Sequence, residues 1–344
     1  MVVSPVLVWG AGAIGGTIGA YLARAGIETV FVDKDEPHVA AINQTGLRIE
    51  RPLETFTVPA RAFALRDVRG FYDRIFLCVK AHHTEGAAHA LAPHLAANGY
   101  VVSFQNGLNE LVIADVVGRA RTIGAFVNFG ADYLSPGVVH LGGRGAFVIG
   151  ELDGSITPRI ETLHALVRQF EPKAIVTDNI MGYLWGKLGY GALLFATALT
   201  NASICDALDA REPRAMYRRL ASEAVAVAQA LKVEPLGFNG YVPQAFASAA
   251  ADSAADSSFD AMVAHNAKSA KTHSGIWRDL AVRRRATEVD AQLGPIVRFG
   301  GEVGVPTPTT RALIAMIHEI ETGLTPLSWS NLAELERRAA HAET

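Results

Sequence analysis

The feature that most restricts the fold lies close to the N-terminus. Val6-Leu7-Val8-Trp9 is a short β-prone run, and Gly10-Ala11-Gly12-Ala13-Ile14-Gly15 follows it at once. Ile14 to Ala25 then carries a helical pattern, with Gly26 as its stop. A G-x-G-x-x-G turn that leaves a strand and opens a helix is a dinucleotide-binding fingerprint in its required context. The first glycine makes the tight turn, the second leaves room for pyrophosphate, and the third lets helix and strand approach. The helix N-terminus offers N–H groups and a positive dipole end to phosphates. The plain alternative is a glycine-rich turn that binds nothing. Strand, spacing and helix together speak against it.

The rest of the first half repeats the alternation. Thr29–Val32 is a second apolar run with Asp33 just past its end. Ile75–Val79 ends at Lys80, and Tyr100–Phe104 ends at Gln105-Asn106-Gly107. Thr122–Phe126 and Ala146–Ile149 are weaker candidates. Continuous apolar strands separated by helices predict a mostly parallel sheet covered on both faces. Ligands of such sheets sit beyond the carboxyl ends of the strands, where Asp33, Lys80 and Asn106 fall. A carboxylate at Asp33 accepts from the ribose hydroxyls of NAD and repels the 2′-phosphate of NADP, while Lys34 partly offsets that repulsion. NAD(H) is therefore favoured over NADP(H). A local turn or cap is the other use of Asp33.

From about Asp178 the texture changes to Ala, Leu and Arg, with helical patterns at 181–200, 211–231, 256–282, 288–303 and 308–322. The expected class is α/β: a Rossmann-type dinucleotide-binding domain over 1–177, followed by an all-helical substrate domain over 178–344. Asp178 or Asn179 is placed to cap the next helix. The Ala/Ser/Asp-rich stretch 237–258 reads as a mobile loop or a solvated helix. With 50% hydrophobic and 19% charged residues, the 344-residue chain has ample material for two cores. Its net charge of −3 lacks the basic footprint of a nucleic-acid binder. Two cysteines, Cys78 and Cys205, exclude a disulfide framework and fit a reducing cytoplasm. The longest apolar stretch, Leu188 to Leu199, falls short of the roughly 20 residues of a spanning helix. No metal-ligand constellation accompanies His82, His83, His89 and His94. The apolar helices offer a surface for a homodimer.

Leu184-Trp185-Gly186-Lys187-Leu188 sets one lysine in an apolar helix. A buried ammonium is costly unless its pKa falls or a carboxylate pairs with it, which makes Lys187 a candidate general acid toward a carbonyl oxygen. A lysine snorkelling on the exposed stripe is equally compatible with the spacing. Thr287-Glu288-Val289-Asp290 has the pattern of a capping box with Thr287 as N-cap. Glu288 or Asp290 is available to pair with Lys187 or to hold a substrate hydroxyl. Helix-start chemistry and an ion-pair network of Arg283-Arg284-Arg285 with Glu288, Asp279 and Asp290 are the bland use of these acids.

At this point the chain resembles the ketopantoate reductase family over about 1–325. The similarity rests on the Gly10–Gly16 turn, Cys78-Val79-Lys80-Ala81, Gln105-Asn106-Gly107, Pro136-Gly137 with Ile149-Gly150-Glu151, Leu184-Trp185-Gly186-Lys187-Leu188 and Thr287-Glu288-Val289-Asp290. It implies NAD(P)H-dependent reduction of a 2-oxo acid to a 2-hydroxy acid. Through it, Lys187 matches the catalytic lysine and Glu288 the catalytic-site glutamate. Asn106 matches the asparagine beside the nicotinamide and the substrate hydroxyl, and Lys80 a lysine at the cofactor side. Ser274 is placed at the serine that holds the substrate carboxylate, with a slightly longer spacing to Glu288 than the family has. His265 and His273 lie near it in sequence.

The departures bear on substrate. The family carries asparagines one and two turns after its lysine, where this chain has Gly191 and Phe195, and Val127-Asn128-Phe129 replaces a Thr-Thr-His-like segment. Residues i, i+4 and i+8 share a helix face, so the Lys187 face has lost two amides. Phe195 and Phe129 are expected to make the pocket more apolar. The expected substrate is thus a hydroxy or oxo acid with a larger apolar group, and the expected direction includes oxidation. The alternatives are a genuine ketopantoate reductase of pantothenate biosynthesis and a non-catalytic NAD(P)-binding redox sensor.

Overall fold

The computed structural model describes residues 4–268 and 272–341. The chain divides into two compact units, Met1–Ile180 and Met181–Thr344. In the first, strands β1 (Val6–Trp9), β2 (Thr29–Asp33), β5 (Arg61–Ala64), β6 (Tyr72–Leu77), β7 (Leu95–Ser103), β8 (Thr122–Val127), β11 (Phe147–Glu151) and β12 (Ile175–Val176) form one sheet. Its order is β12-β11-β8-β7-β6-β1-β2-β5. Pairings from β5 through to β8 are parallel, with Val6 opposite Thr29 on one side and Arg74 on the other. β11 runs antiparallel to β8.

The unbroken apolar runs follow from burial on both faces. Val6 and Val8 join Phe31 and Phe76 in one core, beneath Ile18, Tyr21 and Leu22 of α1 (Ala13–Arg24). Leu7 and Trp9 join Val30, Val32, Ile75 and Leu77 in the other. That second core is closed by α3 (Thr84–Leu91) and α4 (Asn109–Val117). α5 (Pro158–Val167) adds Ile160 and Leu163 to the first.

A second sheet was not expected. β3 (Leu47–Glu50), β4 (Phe56–Val58), β9 (Gly130–Ser135) and β10 (Val138–Gly143) pair in the order β4-β3-β10-β9. These strands are short, and only alternate positions such as Leu47 and Ile49 are buried. Their apolar signal is therefore half that of a strand covered on both faces. α2 (Glu36–Thr45) leads from β2 toward β3.

The second unit is helical: α6 (Ile180–Thr197), α7 (Ile204–Asp209), α8 (Arg214–Ala230), α9 (Asp252–Asn266), α10 (Gly275–Trp277, continuing as a wider turn to Val282), α11 (Val289–Val303), α12 (Pro308–Glu321) and α13 (Ser330–His341). The helix expected over 256–282 is two pieces, and 269–271 within it lie outside the described residues. Nor is 237–258 a loose loop. Phe238 and Tyr241 exchange backbone hydrogen bonds, and Tyr241 and Phe246 are fully buried. Arg214 of α8 reaches Asp256 and Asp260 of α9 at 2.9 and 2.7 Å. Glu223 of α8 accepts from the backbone N–H groups of Thr309 and Thr310 and so caps the start of α12. Burial pushes this carboxyl's pKa up, against those bonds. Among the described residues no helix is long and apolar enough to cross a membrane.

Candidate active site

In the first unit the glycine turn has the form its spacing demands. Gly10 sits at φ +99°, in the left-handed region that disfavours side chains. A Cβ on Gly15 would lie 2.0 Å from the Gly10 carbonyl, so only glycine lets α1 start here. A Cβ on Gly12 would meet nothing within 4 Å. The empty side of the turn is thus at Gly12, where a pyrophosphate needs it. Ala11, Ala13 and Ile14 complete the turn and the first helical residues. This cradle fits a dinucleotide phosphate group.

Asp33 is tied to that turn. Its Oδ2 accepts from Ala11 N–H at 2.8 Å and its Oδ1 from Asp35 N–H at 3.0 Å. The turn-building use therefore holds, and a carboxylate with about four lone-pair sites keeps capacity for two hydroxyl donors. Lys34 Nζ lies 2.8 Å from His83 Nε2. His38 was not singled out in the sequence, yet it is fully buried beside the turn. Its Nδ1 accepts from Gly137 N–H at 2.9 Å, so the proton is on Nε2, which donates to the Ala11 carbonyl at 2.9 Å. The Pro136-Gly137 pair thereby acquires a physical role.

Lys80 is exposed just beyond β6, and Asn106 is half-buried beyond β7. A buried network holds both loops. Gln105 donates to the Val79 carbonyl at 2.9 Å and to Thr84 Oγ1 at 2.7 Å. Thr84 donates to Asn109 Oδ1 at 2.8 Å, and Asn109 donates to the Asn106 carbonyl at 2.5 Å. Burial pushes the Cys78 thiol far up, which makes it inert. Phe129 packs edge-on against Phe170, with centroids 4.8 Å apart, on the border of this unit's core. It is half-buried at the edge of that core, just past the end of β8.

In the second unit α6 is buried except at Met181 in its first turn and along one stripe. Tyr183, Lys187, Gly191 and Leu194 are half-exposed at i, i+4, i+8 and i+11. The opposite face is closed by the segment Leu236–Tyr241. A Cβ on Gly186 would lie 1.9 Å from the Leu236 carbonyl, and one on Gly189 2.2 Å from Tyr241 Oη. Trp185 and Leu188 are buried. The Trp-Gly-Lys triplet thus anchors the helix on one side and turns its lysine to the other. Phe195, expected beside the substrate, has 0% exposure and belongs to the packing of the helical unit. The apolar wall has no open side there.

Glu288 is half-buried immediately before α11. The expected capping box is not formed, because the helix begins one residue later than that pattern requires, at Val289. Thr287 Oγ1 instead accepts from Val289 N–H at 3.2 Å. Thr287 also donates through N–H and Oγ1 to Glu321 Oε1 at 2.6 and 2.7 Å. The other Glu321 oxygen is 2.9 Å from His318 Nδ1, and His318 Nε2 is 3.0 Å from Asp290. Residues on both sides of Glu288 are therefore fastened to the end of α12. Burial works to raise the Glu321 pKa, and the bonds from Thr287 and His318 outweigh it, leaving the carboxyl low. Burial works to lower His318, and its two carboxylate partners outweigh that, leaving it high.

Asp290 is thus committed to His318. Arg283 and Arg285 pair with Asp279 at 3.0 and 2.8 Å. Ser274 is buried and caps α10, accepting from Trp277 N–H at 3.1 Å. His273 stacks on Trp277 with centroids 4.0 Å apart, and His265 lies in the last turn of α9. Among the described residues, no group of three His, Cys, Asp or Glu side chains is arranged to hold a metal ion.

The description "Ketopantoate reductase PanE/ApbA" matches residues 6–154, and "Ketopantoate reductase PanE/ApbA C terminal" matches 179–321. A 2-dehydropantoate 2-reductase of Mesorhizobium japonicum is 28% identical over 340 residues, covering 92% of this chain and 97% of that protein. A PanE/ApbA family ketopantoate reductase from Ralstonia eutropha superposes with a TM-score of 0.76 at 29% identity, over 92% and 98% of the two chains. D-mandelate dehydrogenase, solved with NADH and anilino(oxo)acetate, gives 0.80 at 21% identity over 93% and 99%. That last likeness speaks for the fold. The class is an oxidoreductase acting on CH–OH groups, with a dinucleotide-type sheet unit followed by a helical one. The chain belongs to the ketopantoate reductase family.

Proposed function

We propose that this protein reduces a 2-oxo acid to the 2-hydroxy acid with a nicotinamide dinucleotide. The observation that carries the reading is Lys187, half-buried on the open stripe of a helix whose other faces are packed. Gly10–Gly15 and Asp33 hold the dinucleotide, with Lys80 and Asn106 at the neighbouring strand ends. A reduced nicotinamide, were it held by these residues, would supply the hydride that the reduction needs. Lys187 Nζ gives a proton to the carbonyl oxygen, and the amine is reprotonated from water. Glu288 orients the substrate oxygen, since Asp290 is taken by His318. Ser274 borders the carboxylate, although its Oγ also serves as a cap. In the oxidative direction the same amine, once neutral, takes the proton back.

NAD(H) is proposed over NADP(H). Asp33 is aimed at the turn and Lys34 leans toward His83, so the end of β2 meets a 2′-phosphate with a carboxylate and with a cation already shared with an imidazole. For the substrate, the full burial of Phe195 removes one of the two grounds for an apolar pocket, and Phe129 is half-buried against the sheet core. We therefore place 2-dehydropantoate, the substrate in its relatives' names, ahead of an oxo acid with a large apolar group. Turnover of 2-oxo acids with NADH and NADPH tests the reading. Lys187→Ala should lower kcat about 10²- to 10⁴-fold with NADH binding retained. Unchanged turnover would remove the proton donor, and dinucleotide binding with no turnover of any 2-oxo acid would favour a sensor.

A further inference from the structure

The open stripe of α6 has a gap. Gly191 stands one turn beyond Lys187, about 6 Å along the helix axis, and contributes no side chain. A Cβ built there meets a single heavy atom of the described residues within 4 Å outside its own helix, Gln292 Oε1 at 3.9 Å. Gln292 is half-buried in the first turn of α11, four residues after Glu288, and its N–H donates to the Glu288 carbonyl at 2.9 Å. Residues four apart share a helix face. Gly191 thus opens a space beside Lys187, and α11 extends a carboxamide over it from the same face that carries Glu288.

We infer that Gln292 is a specificity-determining residue, whose carboxamide binds a polar group at the end of the substrate remote from the reacting carbonyl. The inference rests on the oxo-acid reading above. If Lys187 meets the carbonyl oxygen, a chain extending along α6 arrives over Gly191, where bulk is tolerated because no side chain is present. There it meets one amide, which donates through Nε2 and accepts through Oε1. A hydroxyl satisfies both. A site with an amide so placed disfavours an otherwise identical acid that leaves it unpaired. The polar partner missing from the Lys187 helix is supplied by the neighbouring one.

The test compares 2-dehydropantoate with the analogue lacking only its terminal hydroxyl. The wild-type enzyme should favour the hydroxylated acid in kcat/KM by about tenfold or more. In Gln292→Met, which keeps length and loses the amide, that ratio should fall to within about threefold of unity. Gly191→Leu, which fills the space, should discriminate against the bulkier hydroxylated acid. A ratio unchanged in Gln292→Met, with thermal unfolding showing a folded protein, overturns the inference and leaves the oxo-acid reading standing. Gln292→Glu keeps the shape and the acceptor but not the donor, and serves if the methionine variant does not fold. Failure of the wild-type enzyme to reduce either acid with either cofactor overturns both.

Discussion

The two candidate faces of this molecule are built from different materials. In the first unit the proposed dinucleotide cradle is backbone: Gly10 turns, Gly12 leaves space and Gly15 admits a carbonyl 2.0 Å from where its Cβ would be. In the second unit the candidate proton donor is one side chain on a stripe of four, and what matters is which helix faces are left open. A backbone site tolerates few residue types at fixed spacing. A side-chain site on helices tolerates many and is defined by its neighbours. The same residue type serves opposite ends in the two: Gly12 and Gly191 are glycine for the space they leave, Gly15 and Gly186 for the contact they permit.

That contrast predicts a graded set of outcomes. The largest effects belong to the contact glycines. Gly186→Ala places a Cβ against the Leu236 carbonyl, and Gly15→Ala one against Gly10, so each should cost about 3 kcal/mol or more in denaturant unfolding. Gly12→Ala should melt like wild type while its NADH Kd rises about tenfold or more, since the added methyl lies where the phosphates approach. Equal destabilisation by Gly12→Ala and Gly15→Ala would break the distinction. Next in size, Asp33→Asn should reduce the NADH-over-NADPH preference about tenfold, read as a ratio of kcat/KM values.

Smaller again is a pH effect in the helical unit. Stability from Glu321 is complete above the unfolded carboxyl pKa of about 4.3 and is lost as pH falls through its lowered folded value. Stability from His318 is complete below about 6.5 and is lost as pH rises through its raised folded value. Between those limits both contribute. His318→Gln should flatten the alkaline decline by about 1 kcal/mol or less, because the imidazole is partly exposed. Denaturant midpoints across pH would show it, and an unaltered slope would exclude His318 as the source. At the bottom of the scale, Tyr241 Oη is buried without a partner among the described residues. Tyr241→Phe should change stability by under about 1 kcal/mol, in either direction.

What the amino-acid order foretold follows the same division. The strands buried on both faces, such as Val6–Trp9 and Ile75–Leu77, and the glycine turn they lead into, carry dense local signals. The small second sheet escaped because Leu47 and Ile49 alternate with charged residues in a run too short to show a period. Lys187 stood out as one cation in an apolar helix, but its exposure depends on Leu236 and Tyr241, half a hundred residues away. Gln292 and His38 gave no local sign at all. One is an ordinary amide in a helix, the other an ordinary histidine, and both acquire meaning from partners remote in the chain.

The His38 bridge carries a consequence for the smaller sheet. One imidazole joins the carbonyl of Ala11 to the amide of Gly137, ninety-nine positions from the histidine. The hairpin of β9 and β10 is therefore a buttress for the Gly10–Gly15 turn, and shortening it would loosen that turn without touching a glycine. If that turn holds the cofactor as proposed, its affinity has a lever in a peripheral ribbon that no inspection of the fingerprint would reveal.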